Sequence, residues 1–425
     1  MKPSILSIGG DMMLHCITTD RFKSEYLSMQ FYVPLHEKSA QELTLMPVVL
    51  RRGTRRFPEK LMLNRYLDNL YSTAIGIKNR RLGDMQNVGF SADFLGEKYA
   101  GEGLLSDVIA MLAEILFEPA TKDELLRESV VESEKNNLRD AIRAAVNDPR
   151  AYALSHCRKL LCEGEPYAVS LIGKEGDLDT ITARTLTQRY RDFVKGYKPI
   201  FFYVGATPPE RIAELLNKHF SRLEGKLPAY RTAVSAQLGG MHEAEEEMPL
   251  CQGKLAIGFK TDVSITHPLA PATVLLNEIF GGSPASKLFL NVREKRSLCY
   301  HCSSSLDLYK GVLFAQSGMI SENRGVTQEA IFEEFAALQR GEITARELEA
   351  ARSSLKHSYT QLYDNAAALA DFYLNRAVAG ATDSVECWRE RIAAVTPDEI
   401  VQAAAHVQPG AVFFVNGTLD REVEE

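Results

Sequence analysis

Arg293 and Tyr300 stand seven residues apart in Leu290-Asn-Val-Arg-Glu-Lys-Arg-Ser-Leu-Cys-Tyr300, a stretch that follows a Gly281-Gly-Ser-Pro-Ala285 turn. A guanidinium and a phenol are both hydrogen-bond donors, and two donors aimed at one spot suit the carbonyls of a peptide. Arg293 falls near the end of an expected helix over 285–296, and Tyr300 early in an expected strand over 298–306. A turn between these elements can bring both tips together. On residue types alone, an arginine paired with a carboxylate and a half-buried strand tyrosine is the commoner arrangement; the spacing and the preceding Gly-Gly-Ser weigh the other way.

Other reactive types are present without a working pattern. His15 adjoins Cys16, His36 precedes Glu37 and His156 precedes Cys157, and none has a second good ligand one helical turn away. Cys299-Tyr-His-Cys302 is a C-x-x-C by letter. If it lies in a strand, residues three apart point to opposite faces and share neither a metal nor a disulfide. There is no glycine-rich phosphate loop, nucleophile elbow or Ser/His/Asp set.

The elements that must position such residues fit in more than one core. With 425 residues, two or three domains are expected. Apolar residues make up 45 %, charged residues 25 % and the net charge is −7, the profile of a globular chain. No basic run or aromatic-basic interleaving marks a nucleic-acid partner. No window approaches the apolar length of a membrane span. The apolar run before Asp11 is too short for a signal peptide. Seven scattered cysteines suit reduced thiols in a cytosol better than a disulfide framework, so a cytoplasmic location is expected.

The chain repeats a pattern at about half its length. Thr182 caps an expected helix that leads to Lys198-Pro-Ile-Phe-Phe-Tyr-Val-Gly-Ala206, and Thr396 caps another that leads to Gln408-Pro-Gly-Ala-Val-Phe-Phe-Val-Asn-Gly417. Gly225, Pro228, Gly239, Gly240, the acidic run Glu243–Glu247 and Pro249 mark a seam that reads as a linker. The expected division is a first domain over 1–222, a linker over 223–250 and a second domain over 251–425. Expected helices cover Leu104–Phe117, a stretch capped by the Thr121-Lys-Asp-Glu124 box and running to about Val146, a segment after Pro149, 268–280, 285–296, and one from the Thr344-Ala-Arg-Glu347 box to about Val378. Expected strands include 72–78, 84–94, 254–261, 298–306 and 312–319. The pattern predicts an α+β fold of two homologous halves, each a mainly antiparallel sheet with helices on one face.

The 290–300 stretch resembles the arginine/tyrosine substrate clamp in the C-terminal half of M16-type zinc peptidases, the pitrilysin and mitochondrial-processing-peptidase group. Gly53-Thr-Arg-Arg-Phe-Pro58 resembles the segment that follows that family's inverted His-x-x-Glu-His zinc motif. Counting back from it, the metal-ligand and general-base positions fall on Thr44, Pro47 and Val48, which offer zinc no imidazole, thiolate or carboxylate. The family's third ligand falls on Glu132, or on Glu134 if the register slips; a carboxylate alone does not hold zinc.

The resemblance covers nearly the whole chain and implies the M16/LuxS-like metallohydrolase fold twice over. It implies a non-catalytic subunit of the bacterial M16B type, with no catalytic residue or metal of its own. Zinc would sit only on a homologous partner chain that has the motif, and Arg293 and Tyr300 would grip an extended peptide substrate. That peptide would pair with an open sheet edge in the 72–94 region. The rival expectation is an M16-fold scaffold or peptide-binding protein with no part in proteolysis.

Overall fold

Ser24–Pro34 is buried at every position but its two ends. A strand whose side chains alternate between faces can be buried throughout only if both faces of its sheet are covered. A computed structural model describes residues 2–9, 11–227, 229–237 and 239–419, and shows how that covering is arranged.

In chain order the strands are β1 (Ser4–Ile8), β2 (Met12–Thr18), β3 (Ser24–Pro34), β4 (Ala74–Leu82), β5 (Met85–Leu95), the short β6 (Thr121–Lys122) and β7 (Leu125–Leu126), β8 (Ile200–Gly205), β9 (His242–Met248), β10 (Gly253–Thr261), β11 (His301–Asp307), β12 (Val312–Met319) and β13 (Val407–Gly417). The helices are α1 (Glu37–Leu50), α2 (Lys60–Asn69), α3 (Glu97–Ala100), α4 (Leu104–Phe117), α5 (Glu128–Ala144), α6 (Pro149–Leu161), α7 (Ala183–Gly196), α8 (Pro209–Phe220), α9 (Ala270–Asn277), α10 (Arg324–Gln339), α11 (Ala345–Gln361), α12 (Ala366–Val378), α13 (Val385–Ala394) and α14 (Pro397–Ala405). Two π-helical segments, Glu278–Gly282 and Leu288–Lys295, lie between α9 and β11.

The chain divides into two compact units that are not continuous in sequence. Unit 1 comprises 1–143, 169–231 and 362–378; unit 2 comprises 144–168, 232–361 and 379–425. Each has one large sheet. In unit 1 the order is β1-β2-β8-β3-β5-β4, and in unit 2 it is β11-β12-β10-β13-β9. Apart from β1 the two orders match strand for strand. β3 and β10 are the central strands, antiparallel to both neighbours. β2 runs parallel to β8 as β9 does to β13. The Thr182 and Thr396 capping boxes both form, and the helices they open lead to the matching strands β8 and β13.

In unit 1, Leu27, Met29, Phe31, Val88, Phe90, Phe201 and Tyr203 form one core with α1, α4, α7 and α8. The opposite face of this sheet receives α12, which touches β3 and β8. That face is polar. The Gln30 side chain accepts from Asn87 Nδ2 at 2.6 Å and donates to Ser28 Oγ at 2.9 Å, and all three residues are fully buried. Arg80 forks onto the two carboxylate oxygens of Asp371 on α12 at 2.7 and 2.8 Å and reaches Asn375 Oδ1 at 3.2 Å. Paired guanidinium–carboxylate bonds fix orientation as well as proximity.

In unit 2 the sheet face that carries Ala256, Phe314, Ala411, Phe413 and Val415 is apolar, and α6 seals it with Ala153, Cys157 and Leu161. A Cβ on Gly258 would meet Leu161 Cδ2 at 3.0 Å and Cys157 Sγ at 3.2 Å, so the bare glycine allows α6 its close approach. Phe259, on the other face, packs with Phe280 and Phe335. The two sealing helices are exchanged: α6 comes from the first half of the chain and covers the second sheet, while α12 comes from the second half and covers the first.

Four local expectations are corrected. The Thr121 box caps no helix: Asp123 and Glu124 adopt φ of 51° and 63°, which turn the β6–β7 hairpin, and α5 starts at Glu128. The helix opened by Thr344 and Glu347 does form its box but breaks at Leu362–Asp364, after which Asn365 Oδ1 accepts from Ala368 N at 2.9 Å and starts α12. The acidic run expected in the linker is strand β9, held by parallel pairing with β13; Arg324 pairs with both Glu243 and Glu245. Of the linker residues, Pro228 and Leu238 lie outside the described residues. The last strand of the 290–306 region begins at His301, so Cys299 and Tyr300 precede it.

His15 on β2 is buried and stacked on Phe202, with ring centroids 5.9 Å apart. Burial pushes its imidazole down to about 4. The unfolded chain therefore takes up a proton near pH 6.5 that the folded chain refuses until about pH 4. Stability is whole above that window and falls as the pH drops through it, by roughly 3 kcal/mol in all. Urea titrations between pH 7.5 and 4 should show this loss, and His15→Phe should flatten it.

Candidate functional site

The helix Leu288–Lys295 buries Leu288 and Val292, one turn apart, which leaves Arg293 off its buried face. The Arg293 guanidinium stacks on the Phe289 ring at 4.5 Å and pairs with Glu294 at 3.2 Å, with about a third of the side chain exposed. After the helix Ser297 takes a left-handed φ of 51°, and Leu298 N donates back to Val292 O at 3.2 Å. This reverses the chain towards β12, where Tyr300 N donates to Gly318 O at 2.8 Å. The Tyr300 side chain is 47 % exposed. The charge of Arg293 acts on Cys299 and on His301, the residues on either side of Tyr300. The expected turn is present between the helix and β11, with Arg293 before it and Tyr300 after it.

The two cysteines of the C-x-x-C are both buried, Cys299 ahead of β11 and Cys302 within it.

In unit 1, Thr44, Pro47 and Val48 lie on α1, Thr44 and Pro47 buried. Thr44 is the hub of a neutral network. Its hydroxyl donates to Leu171 O at 2.6 Å and accepts from Asn79 Nδ2 at 2.9 Å, while Gln86 Nε2 donates to Asn79 Oδ1 at 2.9 Å. Gln41 Nε2 ties the same helix to Ile172 O at 2.8 Å. Pro47 and Val48 bring no polar side-chain atom. Glu132 on α5 is half exposed and pairs with Lys135 at 2.8 Å. Glu134 is buried, accepts from Asn137 Nδ2 at 2.9 Å and is bonded by Arg52. The side chains present do not fit zinc: an alcohol and two apolar groups stand at the three helix positions, and both carboxylates are taken by cations. Among the described residues no group of three or more His, Cys, Asp or Glu could hold a metal ion. Asn79 and Gln86 carried no signal in the sequence, because a single amide on a strand has no motif.

The Gly53–Pro58 segment folds as a tight loop. Thr54 N donates to Phe57 O at 2.8 Å, Phe57 N to Thr54 Oγ1 at 3.1 Å, and Thr54 Oγ1 to Glu114 Oε1 at 2.5 Å. β4, which carries Asn79, is the edge strand of its sheet. Among the described residues no helix is long and apolar enough to cross a membrane.

A twice-repeated α+β unit, each copy one large sheet with helices packed on it, is the architecture expected of the M16 peptidase fold. Comparison with known proteins agrees. The family described as the peptidase M16 inactive domain matches residues 180–355, a span that holds Arg293 and Tyr300. A Bacillus subtilis protein named as a probable inactive metalloprotease, YmfF, is 29 % identical over 411 residues, 96 % of each chain. The crystal structure of a conserved protein from Enterococcus faecalis V583 superposes with a TM-score of 0.88 at 27 % identity, over 99 % of this chain and all of that one. A peptidase M16 inactive domain from Pseudomonas fluorescens shares the fold at a TM-score of 0.81 and 16 % identity, over 99 % of both chains. The chain is similar to M16 peptidase proteins described as inactive, and Thr44, Pro47 and Val48 on α1 offer a metal no imidazole, thiolate or carboxylate.

Replacing Asn79 with alanine takes a partner from both Thr44 and Gln86, which are buried. A loss of about 1–3 kcal/mol is expected, read as a lower urea midpoint.

Proposed function

We propose that this chain is the non-catalytic, substrate-binding subunit of a two-chain zinc peptidase. A homologous M16 chain with the His-x-x-Glu-His motif supplies the metal and its general base. This chain supplies Arg293 and Tyr300. The single observation that carries the reading is the contrast between the two bends: α1 has exchanged its ligand positions for a buried neutral network, while Arg293 and Tyr300 keep exposed donor groups around one turn. Guanidinium and phenol donate to substrate carbonyls, and the phenol can also stabilise an oxyanion that develops beside it. The substrate is an extended peptide that adds to the open edge of β4. The odd, scattered cysteines suit work in a reducing cytoplasm.

A second reading rests on Arg293 itself. It stacks on Phe289 and pairs with Glu294, contacts that a purely structural arginine would also make. In that case the chain is an M16-fold scaffold with no part in proteolysis.

One measurement tests whether the chain is inactive by itself, and a second separates the two readings. The purified chain should contain no stoichiometric zinc by elemental analysis and cleave no peptide by itself; one bound equivalent would overturn the proposal. In the complex with a motif-bearing partner, Arg293→Ala or Tyr300→Phe should lower turnover by about 10²-fold, the size typical of a lost oxyanion donor. Unchanged turnover favours the scaffold.

A further inference from the structure

The face of the second sheet that α6 covers turns basic towards its edge strand β11. His301, Gly318 and Lys254 form one cross-strand row, and Ser303, Gln316 and Ala256 form the row two residues on, so all six positions share that face. The Lys254 ammonium extends over the bare Gly318, where a Cβ would meet Nζ at 3.2 Å. Arg150, in the first turn of α6, reaches the second row. Its Nη2 donates to Ser303 Oγ at 3.2 Å and its Nε to Gln316 Oε1 at 3.4 Å. His301 Nε2 lies 3.0 Å from the same Ser303 hydroxyl, and Lys254 Nζ donates to Gln252 Oε1 at 2.9 Å. Every one of these partners is neutral. Asp148, two residues before Arg150, spends its carboxylate on Ala151 N at 3.0 Å and caps α6. Arg150 is exposed, and Lys254 and His301 are half-buried. Burial, then the charges of Arg150, Arg293 and Lys254, hold the His301 imidazole below its usual range, and burial with the charge of Arg150 does the same to Lys254. Like charges gathered around neutral partners are a place where an anion relieves repulsion.

We propose that Arg150, Lys254 and His301 form a carboxylate-binding site that selects acidic peptides, through an Asp or Glu side chain or through a free C-terminus. This rests on the peptide-binding reading above and names the kind of peptide. His301 follows Tyr300 directly, and both are fixed against the same two residues of β12. Tyr300 N donates to Gly318 O at 2.8 Å, and Ser317 Oγ to His301 O at 2.9 Å. An extended peptide advances about 3.3 Å per residue, so a chain held at Tyr300 brings its next few residues to the basic row. A carboxylate is a planar pair of acceptors. The bonds to Ser303 and Gln316 use Nε and Nη2 of Arg150 and leave Nη1 for it, and Lys254 adds a second cationic donor. An uncharged amide in the same place gains neither charge-assisted bond.

The test is fluorescence anisotropy of the full-length chain with dye-labelled peptides of one sequence. The acidic peptide carries glutamates and a free C-terminus; the neutral one carries glutamines and a C-terminal amide. The acidic peptide is expected to bind about tenfold more tightly or better, and to lose that margin in high salt. The chain has a net charge of −7, so its overall field favours the neutral peptide, and a preference for the acidic one must come from a local site. Two mixed peptides, glutamates with an amide and glutamines with a free C-terminus, show which carboxylate is taken. Arg150→Gln and Lys254→Gln should each bring the acidic peptide close to the neutral one. Equal affinities on the unmodified chain overturn the proposal, need no variant to fold, and leave the subunit reading standing. A preference that survives both substitutions also overturns it. If neither peptide binds, the peptide-binding reading fails and the proposal with it.

Discussion

Each sheet in this protein has two faces to cover, and each half of the chain brings a full set of helices for only one of them. Everything else follows from that shortage. β3 and β10 can be buried on both sides because a helix from the other half closes the open face: α12 on the first sheet, α6 on the second. The two closures use different physics. α6 presses apolar side chains onto an apolar face and relies on Gly258 for its approach. α12 lands on a face that buries Ser28, Gln30 and Asn87, and is oriented by the fork between Arg80 and Asp371. The bidentate fork sets the orientation of α12 on that face as well as its distance.

The same economy governs the two candidate sites. Helix α1 has to pack against β4 and β5. Thr44 on the helix meets Asn79 and Gln86 there through neutral hydrogen bonds. In unit 2, Arg293 and Tyr300 flank an exposed bend. Edge strands show a parallel contrast. β1 covers β2 in the first sheet, whereas among the described residues β9, the matching strand in the second, has no further strand beside it and carries glutamates instead. Charge on an open edge discourages pairing with stray chains.

Much of this was legible in the sequence. Helix α4 and strand β12 have the very limits that their apolar patterns predict, and the Thr182 and Thr396 boxes exposed the repeat. The want of metal-binding side chains at Thr44, Pro47 and Val48 is equally plain in the sequence. What failed was local logic overridden by neighbours. The Thr121 box had the right letters, but Asp123 and Glu124 turn the chain into a hairpin. The acidic run had the composition of a linker, but β13 gave it a strand to pair with. The exchange of α6 and α12 left no trace, because an amphipathic stripe states that it needs a sheet and does not state which one.

The exchanged helices also bear on how a single copy could fold. A single copy of the repeated unit, existing as its own polypeptide, would have one sheet face that its own helices leave bare and one helix with nothing to seal. Two such molecules satisfy each other by trading that helix. A chain of half this length would cover both faces of its sheet only as an intertwined dimer, and joining two copies end to end turns a concentration-dependent partnership into an intramolecular one.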